Sequence, residues 1–201
     1  MKPYLIAVEG LDRSGKSTFI EAFKAYVEEC GYTNVVFIKD PPPDKKSYLY
    51  SSTDLHLQAA RFSVARAETS HQYKDTQHVI ITDRWAPSTF AYQNVPVTTL
   101  QTLQRTFGWL PIDTCAFVQV SYATWCERMK QCVVKELTER QILENITCLA
   151  SYSGSVNSYL NVCDKLSRNF VVPVRGDVVP EVRVFDSLLQ FAEKAGYKLI
   201  A

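Results

Sequence analysis

The sequence lacks an excess of charge of either sign. Its 201 residues include 22 lysines and arginines against 21 aspartates and glutamates, which gives a formal net charge of +1 at pH 7. Such a balance provides no global field that would draw the chain to DNA, RNA or an acidic membrane. We therefore expect no nucleic-acid or membrane partner, and any anion that the protein binds must be held by a local site.

Long apolar runs and paired cysteines are also missing. No stretch approaches the roughly 20 apolar residues that a bilayer span needs, and the apolar stretch near the N-terminus is too short for a secretion signal. The six cysteines include no C-x-x-C pair, and the three histidines do not lie near them at zinc-ligand spacing. These absences predict reduced thiols and a cytoplasmic location.

No internal repeat or linker divides the chain, so its length and its 46% hydrophobic composition predict one α/β domain over residues 1–201. Short apolar segments rich in β-branched residues alternate with segments of helical spacing. The predicted strands are Tyr4 to Val8, Val35 to Ile38, His78 to Thr82, Cys115 to Val120 and Phe170 to Val174. The predicted helices are Thr18–Cys30 and the stretches near 54–74, 97–107, 122–132, 139–162 and 180–195. This alternation predicts a doubly wound, five-stranded parallel sheet flanked by helices.

A phosphate-binding motif follows the first predicted strand. Residues 10–17 match G-x-x-x-x-G-K-[ST] without a mismatch, and an amphipathic helix comes next. Gly10 and Gly15 permit the turn, while Lys16 would reach the β and γ phosphates. The motif predicts a P-loop NTPase fold in which the Ser17 hydroxyl binds Mg²⁺. The residues predicted to hold ATP are Gly10, Leu11, Asp12, Arg13, Ser14, Gly15, Lys16, Ser17 and Thr18. The alternative, a glycine turn without a ligand, does not account for the order of strand, loop and helix.

Two classes of nucleotide-binding protein are disfavoured by missing features. A regulatory GTPase should carry an N-K-x-D motif and a D-x-x-G switch, and the sequence contains neither at the expected place. A DNA-acting ATPase should show a basic face, which the balanced charge does not favour. A small-molecule kinase remains.

Two further residue pairs fit such a kinase. Asp83 and Arg84 follow the third predicted strand, where the acid could organise Mg²⁺ and the guanidinium could hold a phosphate. A plain ion pair is the alternative. Phe62 and Arg66 are four residues apart on a predicted helix, so an aromatic ring and a planar donor would face one space, as a nucleobase requires. The alternative is that Phe62 belongs to the core.

Taken together, these segments resemble the thymidylate kinases. Val8 to Thr18, the pair Phe62-x-x-x-Arg66, and the run Thr82-Asp83-Arg84-Trp85-x-x-Ser88-x-x-Ala91-Tyr92-Gln93 stand in the order and spacing of that family. The resemblance runs weakly through to the C-terminal strand. It implies transfer of the γ-phosphoryl group of ATP to dTMP, or to a related pyrimidine deoxynucleotide, with Mg²⁺ and in a homodimer.

The resemblance also implies roles for single residues. Phe62 would stack on the base, Arg66 would donate to its carbonyl, and Arg84 would hold the acceptor phosphate. Arg13 would take the γ-phosphate in place of a lid arginine. The implied catalytic residues are Asp12, Arg13, Lys16 and Arg84. The implied metal ligands are Ser17 and Asp83. The residues implied to bind the substrate are Asp12, Lys39, Phe62, Arg66, Arg84, Ser88 and Gln93.

The chain departs from the family pattern at three places. Lys39-Asp40-Pro41 replaces Arg-(Glu or Phe)-Pro, so Lys39 would grip the acceptor phosphate more loosely, and Asp40 would hold metal or cap the loop. Trp85 replaces the usual Tyr or His, which adds bulk near the expected sugar position.

The third departure concerns a candidate helical lid at 127–142. It carries Arg128, Lys130, Lys135 and Arg140, but the glutamate expected two residues after Arg140 is Ile142, and Glu144 is the nearest substitute. A solvated helix face would explain the same charges. Arg128 and, near the C-terminus, Arg175 are candidate ATP contacts, although Arg175 also fits a surface position.

Two other functions stay open at this point. A deoxynucleoside kinase would need a carboxylate base near the sugar, and it typically has Glu-Arg-Ser where this chain has Asp83-Arg84-Trp85. A catalytically inactive nucleotide-binding regulator could keep the same fold.

Overall fold

Five parallel strands form the centre of the fold. The structure is a computed structural model that describes residues 2–130 and 146–201. The strands are β1 (Tyr4–Glu9), β2 (Val35–Lys39), β3 (Val79–Asp83), β4 (Ile112–Gln119) and β5 (Ser167–Arg175). Their order across the sheet is β2-β3-β1-β4-β5, and every neighbouring pair is parallel. The predicted five-stranded parallel sheet is confirmed.

Helices follow the strands in alternation. They are α1 (Lys16–Glu29), α2 (Lys46–Leu49) after a 3₁₀ turn (Pro43–Lys45), α3 (Leu55–Tyr73), α4 (Ala86–Gln93), α5 (Val97–Phe107), α6 (Tyr122–Lys130), α7 (Leu149–Leu166) and α8 (Val182–Lys194). Sequence analysis did not predict α4, which starts three residues after β3 ends. Most of the candidate lid at 127–142, with Lys135, Arg140 and Ile142, lies outside the described residues, as do Glu144 and the start of the helix predicted from 139.

The sheet separates two apolar cores. Every residue of β1 is buried, with Leu5 and Ala7 facing one core and Ile6 facing the other. Helices α1 and α8 cover the face of Ile6, where the rings of Phe23 and Phe185 stack with centroids 4.7 Å apart. A strand that is covered on both faces needs a continuous apolar run, which is why β1 shows no polar alternation.

The sheet order places the two predicted ligand segments side by side. β1 pairs with β3 so that Val8 lies opposite Asp83, and the P-loop and Arg84 both begin just beyond this point. Doubly wound sheets bind ligands in the crevice outside the carboxyl ends of their strands. The fold therefore directs both segments into one crevice.

Two global features bear on the environment of the chain. In the described ranges, no helix combines the length and the apolar character that crossing a bilayer requires. Five cysteines, Cys30, Cys115, Cys126, Cys148 and Cys163, are free thiols, and Cys132 lies outside the described residues.

Candidate active site

The P-loop closes around the ammonium group of Lys16. Lys16 Nζ donates to the carbonyl oxygens of Gly10 and Leu11, at 2.9 Å each. Gly10 and Gly15 have φ of 142° and 98°, and a Cβ atom on Gly10 would collide with the carbonyl of Val118. Only glycine fits these two backbone positions without strain.

The environment of Lys16 weakens its proton affinity. Burial, followed by the nearby Arg84 guanidinium, lowers the pKa of Lys16 to about 8, while the carboxylate of Asp12 opposes the shift. The group therefore loses charge within a range that kinetic assays can reach.

A cavity of about 580 Å³, called here the P-loop cavity, opens beside the loop. It is lined by Asp12, Arg13, Gly15, Lys16, Ser17, Thr18, Lys39, Asp83, Arg84 and Arg128. Most of the residues predicted to bind ATP and both predicted metal residues thus share one space. Ser14 and Leu11 are buried within the loop. Arg175 does not line this cavity, because it is exposed at the end of β5 and pairs with Asp177 at 3.1 Å.

Arg128 connects helix α6 to the P-loop through hydrogen bonds. Its guanidinium donates to the carbonyl oxygens of Arg13 at 3.0 Å and of Gly176 at 2.8 Å. Gly176 comes so close to the loop that a Cβ atom there would collide with the carbonyl of Ser14. The role of Gly176 was not predicted, although a glycine two residues after the last predicted strand was the available signal.

The oxygen atoms of the P-loop cavity suit a magnesium ion that is shared with phosphates. Ser17, Asp83 and Asp12 all line the cavity, but the described residues contain no group of three or more His, Cys, Asp or Glu able to hold a metal alone. Mg²⁺ in nucleotide sites uses one or two carboxylates and completes its shell with waters and phosphate oxygens. The donor set fits that form of binding.

Arg84 lies where the two ligand segments meet. Its backbone has φ of 71°, and its N–H donates to Val8 O at 3.1 Å. Its guanidinium is hydrogen-bonded to the carboxylate of Asp12, and it lies 4.8 Å from the centre of the Tyr92 ring. Burial raises the pKa of Asp12, but Arg84 and Lys16 outweigh burial and lower it overall. Asp12 is therefore ionised at neutral pH.

A second cavity, of about 450 Å³, lies beside α3 and is called here the α3 cavity. Its lining includes all seven residues that were predicted to bind the substrate, namely Asp12, Lys39, Phe62, Arg66, Arg84, Ser88 and Gln93. Asp12, Lys39 and Arg84 line both cavities. A ligand in either cavity can reach these three charged side chains.

Arg66 is almost fully buried at the edge of the α3 cavity. Its Nε donates to Asp40 Oδ2 at 2.7 Å, and its Nη2 lies 2.6 Å from the same oxygen. Nη2 also donates to Thr89 Oγ1 at 2.8 Å. Nη1 is buried without a hydrogen-bond partner among residues 2–130 and 146–201. A buried donor without an acceptor is costly, and Arg66 is one of the residues that line the α3 cavity.

Aromatic rings surround the same guanidinium. The rings of Phe62, Trp85 and Trp109 lie 5.5, 5.7 and 5.8 Å from the central carbon of Arg66. Trp85 was expected near the sugar, but it is buried in the core, donates to Leu110 O at 3.0 Å and does not line the cavity. Its ring lies beside Arg66, its backbone carbonyl accepts from Arg66 Nη2 at 3.2 Å, and it takes up no space in the cavity lining.

Other contacts of the site were not predicted. Asp40, expected at a metal or as a loop cap, is the buried partner of Arg66. Trp125 of α6 donates to Asp12 O at 3.0 Å. Glu9 accepts a hydrogen bond from the backbone N–H of Trp85, the residue that follows Arg84. Lys39 Nζ lies 3.2 Å from Asp83 Oδ2.

Comparison with known proteins identifies the family. The thymidylate kinase family model matches residues 8–161. Thymidylate kinases of Neisseria gonorrhoeae (strain NCCP11945) and Neisseria meningitidis serogroup B (strain MC58) are each 33% identical over 107 residues, with 46% of this chain and 50% of the relative covered. The chain thus spans about half the length of the curated relatives it matches.

Solved structures show the same fold. A thymidylate kinase from Ehrlichia chaffeensis superposes with a TM-score of 0.58 at 18% identity, covering 94% of this chain and 99% of that one. One from Candida albicans gives 0.60 at 22% identity, covering 100% and 96%. The match of the family model to residues 8–161, on a fold that these structures share, places the chain in the thymidylate kinase family.

Proposed function

We propose that the protein transfers the γ-phosphoryl group of ATP to dTMP, or to a related pyrimidine deoxynucleotide. The observation that carries this proposal is that the two cavities share three lining residues, Asp12, Lys39 and Arg84. A donor nucleotide beside the P-loop and an acceptor nucleotide beside α3 would bring their phosphates together at these residues. Family membership supports the same reaction.

The reaction needs alignment more than proton transfer. An oxygen of the acceptor phosphate attacks the γ-phosphorus, and the bond from that phosphorus to the β-bridging oxygen breaks to release ADP. Because the acceptor phosphate is already ionised near pH 7, no strong general base is required. The enzyme must hold two anions in line and neutralise the charge that lies between them. Arg13, Lys16 and Arg84 line the cavities at positions suited to that task.

The α3 cavity suits a base with a carbonyl group. Phe62 lines the cavity, although it is buried and packs against Tyr50 with ring centroids 5.5 Å apart, so its ring would meet the base only at the cavity wall. Arg66 Nη1 carries two N–H groups that have no protein acceptor among the described residues. An exocyclic amino group at that position would oppose donor to donor. We therefore expect thymine and uracil bases to bind better than cytosine.

ATP and Mg²⁺ belong to the proposal. Ser17 and Asp83 would hold the ion at the P-loop cavity, where it would neutralise charge on the β and γ phosphates. Arg128 and Arg13 would lie beside the donor phosphates.

A coupled assay of ADP release with dTMP, thymidine and the other nucleoside monophosphates tests the proposal. We expect turnover with dTMP and none with thymidine, because Asp12 is ionised but already occupied by Arg84 and Tyr92 and so is poorly placed to act as a base on a hydroxyl. Turnover of thymidine alone would favour a deoxynucleoside kinase. Absence of turnover with every monophosphate would favour a nucleotide-binding regulator.

We also propose that residues 1–201 form one domain, that the domain assembles as a homodimer and that it works in the cytoplasm. Leu57 and Val64 are exposed, seven residues apart on α3, and would suit a contact between copies. Light scattering after gel filtration measures the assembly, and a monomer at micromolar concentration would contradict it.

A further inference from the structure

Glu9 is a buried carboxylate behind the site. It ends β1, is fully buried and lines neither cavity. Its Oε1 accepts the backbone N–H of Trp85 at 2.7 Å, and its Oε2 accepts the hydroxyl groups of Ser88 at 2.8 Å and Tyr159 at 2.6 Å. Burial raises the pKa of Glu9, and the hydrogen bonds from Tyr159, Ser88 and Trp85 oppose that shift. All three groups donate to its side-chain oxygens.

The donors that bind Glu9 enclose Arg84. Trp85 is the next residue in the chain, and the Ser88 hydroxyl accepts a hydrogen bond from Arg84 Nη1 at 3.1 Å. Arg84 itself has φ of 71°, which is uncommon for a residue with a side chain and persists only where the surroundings fix it. Glu9 contacts the residues that follow Arg84 and lines neither cavity, so its hydrogen bonds act from outside both cavities.

We propose that Glu9 is a positioning residue that holds Arg84 in place for the acceptor phosphate. The inference rests on the proposed function, in which Arg84 holds that phosphate. Glu9 would act through two routes, the backbone of Trp85 and the hydroxyl of Ser88. Replacing its carboxylate by an amide puts an NH₂ group opposite either the Trp85 N–H or the hydroxyls of Ser88 and Tyr159. In both orientations a donor faces a donor, so the network must rearrange around Arg84.

The test compares the binding of dTMP with that of thymidine. Only dTMP carries the phosphate, so the dissociation constant of thymidine divided by that of dTMP reports the phosphate contact. We expect Glu9→Gln to reduce this ratio by about tenfold or more, while thymidine binding and the KM for ATP stay near wild type. A merely structural role would weaken the binding of all three ligands together.

Asp113→Asn is the matched control. Asp113, in β4, is also a buried carboxylate, and it accepts the backbone N–H of Leu5 at 2.9 Å. Leu5 is near the start of β1, whereas Glu9 is at its end. We expect this variant to leave the ratio of the thymidine dissociation constant to the dTMP dissociation constant unchanged.

If Glu9→Gln does not fold, Tyr159→Phe serves in its place, because it removes one donor and keeps the ring that packs against Phe117. An unchanged ratio in the variant that folds would overturn the inference about Glu9. A wild-type protein that neither binds nor phosphorylates dTMP would instead overturn the proposed function.

Discussion

The buried ion pair between Asp40 and Arg66 allows a quantitative prediction. The side chains are 2% and 1% exposed. Asp40→Ala removes the carboxylate and leaves the guanidinium with two neutral acceptors, Trp85 O and Thr89 Oγ1. The variant therefore measures what an uncompensated charge costs at this site.

Removing one partner of a buried pair costs about 3–5 kcal/mol. For a domain of this size, each kcal/mol lowers Tm by about 2–4 °C, so we expect a decrease of roughly 6–20 °C. Burial raises the pKa of Asp40 although Arg66 opposes the shift. The pair is therefore costly to desolvate, and its net contribution to stability is small. It follows that Asp40→Ala/Arg66→Met, which removes both charges, should recover at least half of the loss.

Urea unfolding followed by tryptophan fluorescence suits this measurement, because Trp85 and Trp109 lie beside Arg66. The double variant should regain stability and still bind dTMP poorly, since Nη1 of Arg66 is gone. The double variant would then show that the ion pair is dispensable for stability while Arg66 is required for binding dTMP. A loss below about 1 kcal/mol for Asp40→Ala, or a double variant no more stable than the single one, would refute the reasoning.

Three further predictions concern the P-loop cavity. Because burial lowers the pKa of Lys16 to about 8, log kcat/KM for ATP should fall with a slope near −1 above that pH, and a profile that stays flat to about pH 10 would contradict it. Gly176→Ala should lower the free energy of unfolding by about 1–3 kcal/mol and raise the KM for ATP. Gly154→Ala, at an open helical position, is the control and should slightly raise Tm when both variants are unfolded by heat. Arg13→Ala should lower kcat by on the order of 10² in the ADP-release assay with the fold intact, and a near-normal kcat would assign that role elsewhere.

Local patterns predicted much of this molecule. The P-loop and the five strands each depend on a continuous run of residues, so their signals survive without knowledge of the fold. The pair Phe62 and Arg66 was found because helical spacing puts both on one face. Helix α4 was missed because it has only eight residues, with Pro87 at its second position.

Contacts between distant segments could not be predicted in this way. Asp40 and Arg66 are 26 residues apart, and Glu9 and Tyr159 are 150 apart. A charged residue in a single sequence does not indicate which partner the fold will bring to it. Asp40 therefore suggested a metal site or a loop cap, and Glu9 was assigned no role of its own. The position of Trp85 was misjudged for the same reason, since its burial depends on Trp109 and Leu110 from another part of the chain.

The pairing of charges shows how a chain with a formal net charge of +1 can gather cations at the cavities where we propose that phosphates bind. Arg84 pairs with Asp12, Lys39 with Asp83, and Arg66 with Asp40. Each carboxylate limits the repulsion that clustered cations would otherwise add to folding, and each fixes a long side chain in advance of the ligand. After this pairing, Arg66 Nη1 still has no acceptor within residues 2–130 and 146–201, so a neutral pair can leave a donor over for a ligand. A site built from such pairs selects ligands by the direction of its donors, with little contribution from the net charge of the chain.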